Sequence, residues 1–127
     1  PDWPRPRGYS NGISAQGRMV FVAGQIGWNS ECVIETDLFW EQTRKAFSNT
    51  VEVLSAAAAK PEHIVRMTWF ITSRKEYLEQ QKEIGKAYRE IIGKHYPAMS
   101  VLVVSELIEE AAKVEIETTA VIPEVSR

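Results

Sequence analysis

Ile64-Val65-Arg66-Met67-Thr68-Trp69-Phe70-Ile71-Thr72 runs directly into Ser73-Arg74-Lys75-Glu76, and this junction decides the fold class. In the first stretch Val65, Met67, Trp69 and Ile71 fall on one side and Arg66, Thr68, Phe70 and Thr72 on the other, the alternation a half-buried strand requires. In the second, Ser73 and Glu76 form a capping box, whose two side chains satisfy backbone N–H groups reciprocally and so open a helix. That helix is expected to run to about Ile92, with Gly93 placed to end it. Tyr77/Leu78, Gln81, Ile84, Tyr88 and Ile91/Ile92 recur at three-to-four spacing as its inner face, leaving Glu79, Lys82, Lys86 and Arg89 for solvent.

The same reading extends in both directions. Upstream, Thr36 or Asp37 is placed to cap a helix whose face is Phe39, Phe47, Thr50/Val51, Leu54 and Ala57/Ala58, ending near Lys60-Pro61 because proline disfavours helical geometry in the residue before it. Before it, Gly8–Ser14 and Arg18–Ile26 read as two strands separated by Gln16-Gly17, and the β-rich run Met19-Val20-Phe21-Val22 stops at Gly24. Residues Pro1–Arg7 contain three prolines and read as an irregular arm. Downstream, Ala98–Val104 and Lys113–Ile122 read as strands joined by the acidic linker Glu106–Ala112. The order is strand, strand, helix, strand, helix, strand, strand, which predicts an α+β fold with a mixed sheet and two helices on one face. The other face would carry Arg66, Thr68, Phe70, Glu115, Glu117 and Val121, a partly apolar mixture that partner subunits would naturally cover.

A chain of 127 residues, 44 % hydrophobic and 25 % charged, is expected to form one domain spanning residues 1–127. Its apolar runs are far shorter than the ~20 residues of a membrane span, and no charged-then-apolar leader opens it, so a soluble, cytoplasmic protein with no membrane partner is expected. Cys32 is the sole cysteine, which rules out an internal disulfide and a cysteine-based zinc site, and it reads as a passive turn or strand residue. With a formal charge of −2 and acidic residues interspersed among the basic ones, the basic footprint of a nucleic-acid binder is missing. There is no Gly-rich phosphate loop, HExxH helix or GxSxG elbow, and no metal or cofactor is expected.

Gly8–Gly12, Gly17–Gly27, Tyr96–Ser100 and Lys113–Val121 together resemble one known pattern, that of the RidA/YjgF family. Gly8-Tyr9-Ser10-Asn11-Gly12 is similar to its opening glycine-tyrosine segment, and Gly17 through Gly27 to its strand followed by Ser-Gly-Gln-Ile. Tyr96-Pro97-Ala98-Met99-Ser100 resembles its Phe-Pro-Ala-Arg-Ser signature, and Lys113 through Val121 its terminal Glu-Ile-Glu-Ala-x-Ala strand. Asn49-Thr50 with Ala56–Ala59 is similar to the family's first helix. The resemblance covers residues 8 to 122 and implies a chorismate-mutase-like fold and a homotrimer with clefts between subunits. It also implies hydrolysis of enamines or imines to keto acids and ammonia without a cofactor, an arginine gripping the substrate carboxylate and a glutamate positioning water.

The glutamate is matched by Glu115, but the arginine's position is Met99, the serine's is Ala23, and an asparagine three residues before the second helix's tyrosine is replaced by Gly85 ahead of Tyr88. Trp28 adds an aromatic residue just after Gly24–Gly27. The candidate catalytic residue is therefore Glu115, and the candidate substrate-binding residues are Tyr9, Gly24, Gln25, Trp28 and Met99. Each has a bland alternative. Glu115 and Glu117 alternate with Val114 and Ile116 as a solvated strand face would; Tyr9 suits an edge strand; Met99 suits plain packing; Gly24 and Gln25 suit a tight turn; His63 and His95 read as lone surface histidines. If a cation replaces the lost arginine, Arg18 and Arg66 are the candidates. The expected activity is that of an enamine or imine hydrolase of altered specificity, weak on 2-iminobutanoate, acting on a small-molecule substrate in an inter-subunit cleft. The alternative is a non-enzymatic trimeric binder of a small metabolite, and ribonuclease activity is disfavoured by the acidic balance.

Overall fold

A computed structural model describes residues 2–124, so Pro1 of the N-terminal arm lies outside the described residues. The elements run β1 (Arg18–Ile26), α1 (Phe39–Ala56), a short 3-10 turn (Pro61–His63), β2 (Ile64–Ile71), α2 (Arg74–Glu79), α3 (Gln81–Ile91), β3 (Ala98–Val103) and β4 (Val114–Ile122). They form a four-stranded mixed sheet of order β1-β4-β2-β3. β4 lies antiparallel to both β1 and β2, whereas β2 and β3 are parallel and are joined by the α2–α3 crossover.

The helices cover one face. Phe39, Phe47 and Leu54 of α1 and Ile84, Ala87 and Tyr88 of α3 close over Met67, Trp69, Ile71, Val114, Ile116 and Ala120 of the sheet. Thr43 and Thr50 are buried on the same side of α1, and each hydroxyl donates back to the carbonyl four residues earlier, Phe39 and Ala46, so neither is left unpaired. Gln42 is fully buried. Its Nε2 donates to the carbonyls of Thr36 and Ala111 at 2.9 and 3.0 Å, and its Oε1 accepts the Lys113 N–H at 2.8 Å. This one amide ties the approach to α1 to the approach to β4.

Six expectations are corrected. Residues Gly8–Ser14 form no strand; only Ser10 pairs, in an isolated parallel bridge to Ala98. The second helix is broken at Gln80, whose backbone (φ −107°, ψ 20°) separates α2 from α3. Its side chain turns back to accept the Trp40 N–H at 2.8 Å, so an orphan donor in the first turn of α1 is capped from forty residues away rather than by Thr36 or Asp37. Thr36 instead accepts the Leu38 N–H and donates to Glu41. In β2 the inward set is Ile64, Met67, Trp69 and Ile71, because an irregularity in the pairing with β4 between Ile64 and Arg66 takes Val65 out of the alternation. Gln81 is exposed and bonds to the Tyr77 carbonyl within its own segment, and Ala59 rather than Ala57/Ala58 enters the core. The Ser73 cap to the Glu76 N–H at 3.1 Å and the left-handed Gly93 (φ +100°) stand as expected.

The opposite sheet face has no helix over it. Along β4 the core residues Val114, Ile116 and Ala120 alternate with Glu115, Glu117, Thr119 and Val121, which therefore point to this open side. Met19 and Phe21, paired with Val121 and Thr119, add 55 % and 71 % exposed apolar side chains to it. No helix among the described residues is long and apolar enough to cross a membrane.

Candidate functional site

The candidate residues separate into two groups. The first lies on the open face, where Glu115 is half-buried opposite Ile26 of β1 and Phe70 of β2. The pairing of β1 with β4 slips between Val22 and Gln25, a bulge that brings Gly24 against Glu115. A Cβ at Gly24 would lie 2.6 Å from Glu115 Cδ and 2.9 Å from its Oε1, so this glycine is required by close approach and not by a tight turn. Gln25 closes the bulge, its Nε2 donating to the Ala23 carbonyl at 3.0 Å.

The second group lines a cavity of about 400 Å³ between the N-terminal arm, α3 and β3. Met99 is in register with Met67 and Val101 with Trp69, both core residues, so Met99 faces the helix side of the sheet and not the side that holds Glu115. Tyr9 reaches the same cavity because Ser10 is strapped to the start of β3: its N–H donates to the Pro97 carbonyl at 2.9 Å and its hydroxyl to the Tyr96 carbonyl at 2.5 Å. Tyr88 and Tyr96 stack with ring centroids 5.6 Å apart. The Tyr88 hydroxyl donates to the His95 carbonyl, and burial, with Tyr96 adding to it, pushes its ionisation well above the usual tyrosine range. It is a fixed neutral donor. Trp69, 3 % exposed, also lines the cavity, and its indole N–H has no partner among the described residues.

Trp28 joins neither group. It is bridged to Ile34 at the base of a loop organised by Asn29, and its carbonyl accepts from Asn49. Cys32 sits exposed in that loop with φ +61°, a turn residue. The histidines are structural clamps: His63 Nδ1 accepts the Lys60 N–H at 3.0 Å, and His95 Nε2 meets the Ile64 carbonyl at 2.6 Å, so His95 is not a free surface residue.

Arg18 and Arg66 do not reach the cavity: Arg18 donates to the Ala57 carbonyl, and Arg66 lies beside Phe21 and Glu117 on the open face. The cations at the cavity are Arg7 and Arg89, which the sequence pattern puts on the arm and on the solvent stripe of the helix. The available signal was the spacing of Gly85 and Arg89, one helical turn apart on the same face.

Residues 4–122 match the family described as Endoribonuclease L-PSP. The chain belongs to that family, the RidA/YjgF family. Among its RidA/YjgF relatives, a RutC family protein of Aquifex aeolicus is 35 % identical over 95 % of this chain and 94 % of its own length. A 2-iminobutanoate/2-iminopropanoate deaminase of Dermatophagoides farinae is 32 % identical over 94 % of this chain and 90 % of its own. In three dimensions the chain is similar to a Rid-family protein of unknown function from Yersinia pestis, with TM-score 0.82, 26 % identity and coverage of 96 % and 95 % of the two chains. It is also similar to E. coli TdcF with bound serine, with TM-score 0.70, 30 % identity and coverage of 90 % and 87 %. Against the RidA/YjgF pattern, both polar positions that this chain has lost around the cavity, now Gly85 and Met99, line its wall.

Proposed function

We propose that this RidA/YjgF-family chain hydrolyses an enamine or imine metabolite, at a site assembled between two copies of the chain in a homotrimer. Glu115 accepts a proton from water as the water oxygen adds to the imine carbon. The proton passes to the nitrogen, the hydroxyl of the resulting carbinolamine gives up its proton as the carbonyl forms, and the carbon–nitrogen bond breaks to release a keto acid and ammonia with Glu115 again a carboxylate. The observation that carries this reading is the Gly24–Glu115 contact, in which a carboxylate on an uncovered sheet face is held against a backbone kept bare of any side chain. A relative named as a deaminase of small imino acids, aligned over nearly the whole chain, supports the reaction class.

The opposite-face placement of Glu115 and the Tyr9–Met99 cavity supports the inter-subunit site. Within one chain the two groups back onto different sides of the sheet, so a ligand touching both lies between one copy's Glu115 and another copy's cavity. Ribonuclease chemistry has less support, since each histidine has a ring nitrogen engaged with a backbone group.

The test is a coupled assay in which an amino-acid oxidase or dehydratase generates the imine and keto-acid release is timed. Glu115→Gln keeps the shape and removes the proton acceptor, so turnover should fall roughly 10²–10⁴-fold. Glu117→Gln, one repeat further along the open face, should stay near wild type. Equal losses from both, or none from either, would overturn the assignment.

A further inference from the structure

We infer that Arg89 is the carboxylate-binding residue of the cavity, and that it selects carboxylates with a bulky apolar body over short ones. This rests on the hydrolase reading for its reaction but not for its binding.

The geometry begins at Gly85. A Cβ built there would sit 3.1 Å from Arg89 Nη1, so the guanidinium occupies the space that any other residue would give to its own side chain. Side chains in helices lean toward the N-terminus and lie over the preceding turn, which is how a residue four positions later reaches that space. Glycine in mid-helix costs about 1 kcal/mol relative to alanine, and here the vacancy it leaves is filled by a cation at the rim of a cavity. Arg89 makes no ion pair with a carboxylate among the described residues, while the neighbouring Glu90 is taken by Arg44 at 2.6 Å. Arg7 lines the same rim and adds a second positive charge.

The rest of the wall is of another kind. Trp69, Ile84, Tyr88, Tyr96, Met99 and Val101 give apolar and aromatic surface and no carboxylate. A planar guanidinium above such a wall suits one ligand class, a monocarboxylate whose charged end pairs with the arginine fork and whose body lies against the rings and Met99. Because the anchor stands on α3 and not on β3, a two-carbon substituent would leave most of the apolar wall uncovered, whereas a phenyl-sized one would cover it.

The experiment is calorimetric titration of the purified protein with 3-phenylpropanoate, with its neutral isostere 3-phenylpropanamide, and with butanoate. The wild type should bind the aryl acid at least tenfold more tightly than either. Arg89→Met should erase the preference for acid over amide, a loss of roughly ten- to a hundredfold for the acid, with the weak amide binding unchanged. Gly85→Asn, which retains the arginine but takes its place, should weaken acid binding comparably. Arg89→Lys should retain part of it, and thermal melts of all three variants should show the fold intact. Acid and amide binding alike to the wild type, no binding of either, or an undiminished acid preference in Arg89→Met would each overturn the inference. Glu115→Gln separates the two readings: it should bind the aryl acid normally while losing turnover. An Arg89-dependent acid preference in a protein with no imine hydrolysis would sink the hydrolase and leave the carboxylate site standing.

Discussion

Gly24 and Gly85 are both glycines whose missing side chain is filled by a functional group of another residue, Glu115 in one case and Arg89 in the other. Neither requirement could be read from sequence. Gly24 reads as the end of a β-rich run, but its meaning depends on a register slip between β1 and β4 that places it across from Glu115. Arg89 falls on the polar stripe of its helix, and stripes do not say which long side chains fold back over the preceding turn. The family resemblance singles out Glu115, Tyr9 and Met99 as candidates, yet it does not reveal that Glu115 and the Tyr9–Met99 cavity lie on opposite sides of one chain. Gly24→Ala tests the residue scale: with Cβ forced to 2.6 Å from Glu115 Cδ, the carboxylate must move. Turnover should fall at least tenfold and stability by about 1–3 kcal/mol, read by the coupled assay and by chemical denaturation. Wild-type rate and stability would mean that the Gly24–Glu115 contact has no role.

At the scale of elements, the junction of β2 with its capping box was legible because both signals are local, and so were β1, β3, β4 and the glycine stop after α3. What was missed depends on long-range partners. The cap of α1 comes from Gln80, the residue at which the second helix is divided. Gly8–Ser14 lacks apolar alternation, so only Ser10, held to Tyr96 and Pro97, pairs with the sheet. Gln42 belongs with these: on a helix face read as apolar, it is a fully buried amide with three backbone partners. Gln42→Leu should leave the Lys113 N–H and two carbonyls without their partner, costing about 2–4 kcal/mol in urea denaturation. A change under 1 kcal/mol would indicate that water or a shifted backbone supplies these bonds.

For the whole molecule, the helices account for one sheet face and leave Met19 and Phe21 exposed on the other in the single chain, while Glu115 lies half-buried on that face and the cavity opens beside α3. Under the proposed assembly, a second copy laid against the open face would bury the apolar residues and bring a cavity to Glu115. This arrangement makes a prediction that no single-chain site can share, and mixing two inactive variants measures it. Glu115→Gln and Arg89→Met, each alone, should be nearly inactive on an aryl-substituted imino acid. Denatured together in equal amounts and refolded, they should form mixed trimers in which one cleft of three joins an intact Glu115 to an intact Arg89, restoring roughly a quarter of the wild-type rate. A mixture no more active than the mean of its two components would contradict a site shared between copies.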